Sequence, residues 1–335
     1  VKWFFCWCQD SDFRDDHGWQ DLIRVAVHSA RLHTDLKPHF IYDGEPSAFT
    51  AELAAQGVNV IFHRLSFTDA LSAHQPDNRE FQAVARGAFL RFDIPLFFDA
   101  EDRFVLYTDV DVMFRHQPDF RGYYPGLIAA APQCERGLRV DMNSGVMLVN
   151  AVNFRDFHPQ LVDFTRRHLD LGLDQEVMRA ILGNDYLLLP DLYNWKPYWG
   201  VNPEAPIIHW HGPKPVTMAK LLSGETTRTH DAWQVLFERD QDSYRAHLAA
   251  FHAILKDYRT GAAGHLAGTG RPLSRYKHAT ASSAAAGLRP SAARSCPMAW
   301  CRIGYLIAFS GWVGRVYQAA TAGSLMMGSW HKPAM

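Results

Sequence analysis

Residues 104–111 read F-V-L-Y-T-D-V-D, an apolar run of strand length that stops abruptly at two aspartates, Asp109 and Asp111. Side chains two residues apart on extended backbone point the same way, so the two carboxylates share one face at the carboxyl end of the strand. Open α/β sheets bind ligands at that edge. Two like charges so close are costly unless protons or a cation offset them. A divalent metal is the natural cation, and bridging it to phosphate oxygens is the natural use. The plain alternative is a solvated turn, where Asp-x-Asp also arises.

A second segment, residues 207–215, reads I-I-H-W-H-G-P-K-P. A short apolar strand delivers His209 and His211, Gly212 lets backbone approach a ligand, and Lys214 supplies a fixed positive charge. One imidazole as third metal ligand and one ammonium on phosphate would complete a pyrophosphate site. Alone, the segment reads first as a surface turn with two solvated imidazoles. With Asp109 and Asp111 in the same chain, the balance moves toward function.

Such residues need a sheet to hold them, and the first half of the chain has the pattern of one. Lys2 to Cys8 is a continuous apolar run, followed by a polar loop and by helical spacing from Asp21 to His33. His39 to Tyr42 reads as a strand ending at Asp43-Gly44, then a short helix from Ser47 to Gln56 and a strand from Val58 to Phe62. This β-α-β-α-β order is what a parallel sheet with helical crossovers requires. Phe81 to Phe98 is expected to be helical up to Asp93, with Pro95 as the stop. Phe104 to Thr108 and Ser144 to Val149 read as buried strands, His158 to Leu171 and Asp174 to Leu182 as helices, and Ile207 to His209 as a short strand. Trp233 to Tyr258 reads as a last helix with a break expected at Asp240 to Ser243.

A chain of 335 residues with 47% apolar and 21% charged residues is neither a mini-protein nor wholly disordered. Its formal charge of −1 is a cancellation. Residues 258–335 carry nine Lys and Arg and no acid, which leaves 25 bases against 35 acids, a net −10, in residues 1–257. The division is read as a catalytic body, 1–257, and a basic tail, 258–335, rich in Ala, Gly and Ser. Within the tail, the apolar stretch 303–314 is too short to span a bilayer, which needs about 20 residues, and could lie in an interface. The five cysteines, Cys6, Cys8, Cys134, Cys296 and Cys301, show no paired Cys-x-x-Cys spacing for zinc and suggest a reduced compartment. Cys6 and Cys8 fall on one strand face and are expected to be buried. The opening residues look like a strand already under way, without a secretory signal, as though some sequence preceded Val1.

Four motifs in order carry a family resemblance: Asp109-Val110-Asp111, Met142 to Asn150 (M-N-S-G-V-M-L-V-N), Asp174-Gln175, and His209 to Pro215. Together they resemble glycosyltransferase family 8, retaining enzymes of the GT-A fold that include bacterial lipopolysaccharide galactosyl- and glucosyltransferases. The resemblance covers residues 1 to about 220 and not the tail. It implies an α/β, Rossmann-like, mixed and mostly parallel sheet flanked by helices. It further implies transfer of a hexose, galactose or glucose, from a UDP-sugar to a glycan or glycolipid hydroxyl.

Carried over by position, the resemblance assigns Mn²⁺ to Asp109, Asp111 and His209, a donor set of two carboxylates and an imidazole that suits Mn²⁺ better than Mg²⁺. Gly212 and Lys214 would hold the diphosphate, Arg91 would contact the donor, and Asn143 and Asp174 would hydrogen-bond the donor sugar. Gln175 matches the residue beside the anomeric carbon, with a positioning rather than bonding role and same-face attack by the acceptor. Asp10 lies where the family contacts uridine. For Arg91 the alternative is a solvated helix face, and for Asp10 a structural loop carboxylate. The loop G-P-K-P is one residue shorter than usual between Gly and Lys, Val216 stands where the family has Trp, and His211 is extra, so a slip of register would put His211 on the metal instead. Asn194 to Trp199 (N-W-K-P-Y-W) reads as a sugar-stacking wall or as core.

Two other classes compete. A haloacid dehalogenase-type phosphatase also places Asp-x-Asp after an apolar strand, but needs a later acidic pair and leaves residues 209–215 unexplained. A non-catalytic sugar-nucleotide or glycan-binding protein would keep every expected ligand. No nucleic-acid partner is expected. The location expected is cytoplasmic, with the basic tail as a peripheral contact to anionic membrane at its inner face.

Overall fold

The computed structural model of the chain describes residues 1–13, 18–133, 135–137, 142–225 and 231–261. Most of the tail, including 303–314, and Cys134, Cys296 and Cys301 lie outside the described residues.

The strands are β1 (Lys2–Cys8), β2 (Lys37–Asp43), β3 (Asn59–Phe62), β4 (Phe104–Thr108), β5 (Val112–Phe114), β6 (Ile128–Pro132), β7 (Met142–Asn150), β8 (Leu187–Leu188) and β9 (Ile207–His209). The helices are α1 (Trp19–His33), α2 (Ala48–Ala55), α3 (Thr68–His74), α4 (Arg79–Phe89), α5 (Ala151–Arg167), α6 (Asp174–Leu182), α7 (Pro215–Leu222), α8 (Asp231–Arg239) and α9 (Gln241–Thr260). Seven strands form one sheet in the order β3-β2-β1-β4-β7-β6-β8, and β5 pairs with β9 in a second. Among the described strands of the large sheet only β7 runs against its neighbours, antiparallel to β4 and β6, so the sheet is mixed and mostly parallel, as expected.

The continuous apolar runs follow from burial on both faces. On β1, Phe4, Cys6 and Cys8 enter one core, and Trp3, Phe5 and Trp7 enter the other. Val105 and Tyr107 of β4 join the first core and Leu106 the second. Helices α3 to α6 cover the first face, and α1 and α2 the second. A third cluster, built from α1, β5, β9, α7, α8 and α9, backs the small sheet. Burial pushes the Cys8 thiol up to about 11 and Cys6 higher still, which suits inert packing.

Several expectations shift. The helix expected to reach Asp93 ends as an α-helix at Phe89, and the chain tightens into 3₁₀ turns at Leu90–Phe92 and Ile94–Phe97. Pro95 sets the second of these turns, while the first bends the chain so that Arg91 turns inward. The helix expected over 158–171 begins seven residues earlier, capped by Asn150, whose side chain accepts from Asn153 N–H, and ends at Arg167. The break near 240 is present: Asp240 caps α9 by accepting from Ser243 N–H. That last helix runs to Thr260, past the expected division at 257/258. Among the described residues, no helix is long and apolar enough to cross a membrane.

Leu106 is fully buried opposite Trp3 in the centre of the sheet. Leu106→Ala is expected to cost about 2–5 kcal/mol, read as a lower urea midpoint.

Candidate functional site

The turn after β4 carries Asp109 and Asp111, and the antiparallel sense of β7 brings its amino end to that same edge. Asp109 N–H donates to Gly145 O at 2.8 Å, which clamps the turn onto β7. Strand β9 pairs with β5 so that Val112 faces His209, and this delivers the imidazole to the carboxylates. His209 Nε2 lies 3.7 Å from Asp109 Oδ2 and 3.4 Å from Asp111 Oδ1. One ligand atom from each of the three residues falls within 4.8 Å of the others, a spacing a single cation can bridge.

The close approach depends on Gly145. A Cβ there would stand 2.3 Å from His209 Cε1, 2.7 Å from Asp109 Oδ2 and 2.9 Å from Asn143 Oδ1. Gly212 serves the return of the chain: its φ of 86° is in the left-handed region, and a Cβ would meet Leu236 at 2.8 Å.

Every acid at this edge is answered by a base. Arg91, buried rather than on a solvated helix face, reaches Asp109 at 2.9 Å and Asp174 at 3.0 Å, and also donates to Ser144 O and Oγ. Lys214 Nζ pairs with Asp111 and donates to Trp210 O at 2.8 Å. Burial alone would push the Asp111 carboxyl up, but Lys214 and His209 outweigh it and hold the group well below the ordinary carboxylate range. Asp174, at the first position of α6, is shifted the other way, raised by burial against the opposing charge of Arg91.

A cleft opens over these groups, lined by Arg91, Asp109, Asp111, Asn143, His209, Gly212 and Lys214. Trp7 and Trp19 form a wall, their rings 4.3 Å apart, and Lys214 Nζ sits 5.7 Å from the Trp19 ring. His211 also borders the cleft, but its Nδ1 is 2.9 Å from Tyr198 OH, and burial drives its pKa well below the ordinary value. It is not in the cation-competent group, which holds His209.

No protein-family model matches the sequence, and no curated protein is significantly similar to it. Solved structures do resemble it. The glycosyltransferase GlyE of Streptococcus pneumoniae TIGR4, in its apo form, is 18% identical with a TM-score of 0.49, over 78% of this chain and 63% of GlyE. The chain therefore spans less than two thirds of that protein. The galactosyltransferase LgtC, solved with donor and acceptor sugar analogues, is 17% identical at a TM-score of 0.48, over 70% of this chain and 100% of LgtC. Mouse xyloside xylosyltransferase 1 is 17% identical at 0.43, over 62% of this chain and 97% of its own. These are distant likenesses, and each activity named belongs to the other protein.

The remaining sequence-derived residues fall in two places. Asn143 reaches the cleft lining, while Asp174 and Gln175 lie behind the cluster, with Ser144 Oγ donating to Asp174 Oδ2 at 2.7 Å and Gln175 completely enclosed. Asp10 stands apart on an exposed turn paired with Arg86, and its neighbour Ser11 lines the cleft instead. The Asn194 to Trp199 segment forms no part of the cleft lining. Trp195 and Tyr198 pack in the third core, and Asn194 turns inward beside His209. Asn194 was read only as the head of that aromatic segment, and Gln133 was not read as a site residue. The only sequence signal was an Asn inside an aromatic run.

Gly145→Ala is expected to force His209 and Asp109 apart while the sheet persists, seen as weaker divalent-cation binding than in the parent, by titration calorimetry, with unchanged far-UV circular dichroism. A second expectation concerns Glu176, on the first turn of α6, which burial and then the charge of Asp174 push up to about 7 from 4.5. Because the folded pKa is the higher one, its contribution to stability is complete below the unfolded value and is lost as pH rises through about 7. Glu176→Gln should therefore raise the thermal midpoint relative to the parent more at pH 8 than at pH 5, and equal shifts would contradict this.

Proposed function

We propose that the chain is a retaining, GT-A-type glycosyltransferase that moves a hexose from a UDP-sugar to a glycan or glycolipid hydroxyl with the help of Mn²⁺. The observation that carries the reading is the convergence of Asp109, Asp111 and His209 in a cleft at the carboxyl edge of the sheet, beside Lys214. Two carboxylates and one imidazole are a donor set for a divalent transition metal, and glycine at 145 lets those side chains approach one another where a Cβ would clash. When bound, such a metal supplies Lewis-acid stabilisation of the departing diphosphate.

The chain's own residues have the other roles. Lys214 and the backbone around Gly212 are proposed to hold the diphosphate, Lys214 exchanging its contact with Asp111 for phosphate oxygens. Arg91 orients the Asp109 carboxylate and keeps Asp174 in place for the donor sugar, with Asn143 beside it. Gln175, enclosed and hydrogen-bonded at both ends of its amide, suits positioning rather than nucleophilic attack, which favours same-face attack by the acceptor. A haloacid dehalogenase-type phosphatase would want a further acidic pair on the same cation. Among the described residues, the metal-competent group is completed by a histidine instead.

The expected result is release of UDP from UDP-Gal or UDP-Glc in the presence of Mn²⁺, lost in EDTA and reduced at least about a hundredfold by Asp111→Asn in protein that keeps the parent far-UV circular dichroism. Undiminished turnover in EDTA, or binding of UDP-sugars without turnover across many acceptors, would overturn it. The basic tail is proposed, on sequence alone, to bring the enzyme to anionic membrane where lipid-linked acceptors sit.

A further inference from the structure

Behind the cation-competent cluster runs a chain of buried amides whose hydrogen-bond directions are all determined. Asn143 Oδ1 accepts from the main-chain N–H of Gly145 at 3.1 Å, and Gln175 Oε1 accepts from that of Ser144 at 3.0 Å. A main-chain N–H can only donate, so these two contacts decide which end of each amide is oxygen. Asn143 Nδ2 then donates to Gln175 Oε1 at 3.1 Å, and Gln175 Nε2 donates to Gln133 Oε1. Arg179, also a pure donor, holds that same Gln133 oxygen at 3.0 Å.

The direction propagates to the histidine. Because Asn143 presents oxygen to Asn194, Asn194 must turn its NH₂ toward it, and does so at 2.8 Å. The Asn194 oxygen is left facing His209 Nδ1, also at 2.8 Å. The ring must then carry a proton on Nδ1, and in the neutral imidazole the Nε2 lone pair points at Asp109 and Asp111. Gln133, Gln175 and Asn194 are fully buried and Asn143 nearly so, so water cannot scramble these assignments.

We infer that Asn194 is a positioning residue: through the amide chain Asn194–Asn143–Gln175–Gln133 it locks His209 in the Nδ1–H tautomer, so that Nε2 is the atom offered to a divalent cation. The cation rests on the function proposed above; the tautomer does not. Asn194 touches neither cleft nor carboxylates, and removing such an orienting partner typically weakens metal affinity about 10–100-fold.

The test reads the ring before any metal is added. In protein labelled with ¹⁵N-histidine, measured at a pH where the ring is neutral, the His209 signals, assigned by their loss in His209→Gln, should show the Nδ1–H tautomer. Asn194→Leu should give a mixture of tautomers and an Mn²⁺ affinity lower by about 10–100-fold in calorimetric titration. Asn194→Asp keeps an acceptor for Nδ1–H but loses the donor to Asn143 Oδ1, and should restore the tautomer and part of the affinity. An Nε2–H ring in the parent protein overturns the proposal even if Asn194→Leu fails to fold. So does an Asn194→Leu protein with unchanged tautomer and unchanged Mn²⁺ affinity. Parent protein that holds the Nδ1–H ring yet binds no Mn²⁺ would overturn the metal reading and leave the positioning of His209 standing.

Discussion

Charge balance at the end of one buried strand governs this structure. Asp109, Asp111 and Asp174 meet at the carboxyl edge of β4, where each charge taken out of water costs several kcal/mol unless it is paired. Arg91 bridges two of these acids, Lys214 pairs with the third, and His209 faces Asp109 and Asp111. Each partner arrives on a different element, so the turn after α4, the start of α6, strand β9 and the start of α7 must all dock on the same edge. The site is thus part of what holds the layers together.

The balance is uneven, and its unevenness suits chemistry. The Asp174 and Arg91 side chains are almost wholly enclosed, whereas about a quarter of the Asp109 side chain remains exposed. Asp111 and Lys214 form a buried pair, which the proposed reaction would have the lysine leave for another anion. In the proposed reaction a diphosphate would be that second anion. The amide chain behind His209 adds direction to the charge, since its hydrogen bonds can run only one way.

Much of the framework was legible because burial on both faces writes itself as uninterrupted apolar runs. Strands β1, β4 and β9 and helix α6 have the bounds read from the sequence, and Asp109 and Asp111 share the edge that their spacing implied. Periodicity was silent on strand direction. An antiparallel strand has the same alternation as a parallel one, so nothing in Met142 to Asn150 announced that its amino end would lie against Asp109. The inward turn of Arg91 was hidden for a similar reason, because a 3₁₀ turn following an α-helix changes which side chains face the core without changing the residues.

The sequence by itself determined which residues could do chemistry and which strands would be buried, because residue type and spacing of two are local properties. Only the tertiary structure decided between His209 and His211. The pairing of β5 with β9 places His209 against the carboxylates, while His211 is held by Tyr198. It also decided that Asn194, in an aromatic run with no motif of its own, would stand behind His209. Its distance from His209 is set by the adjoining backbone bonds of Trp195 to Ile207 and His209, across a stretch of chain that no local pattern links.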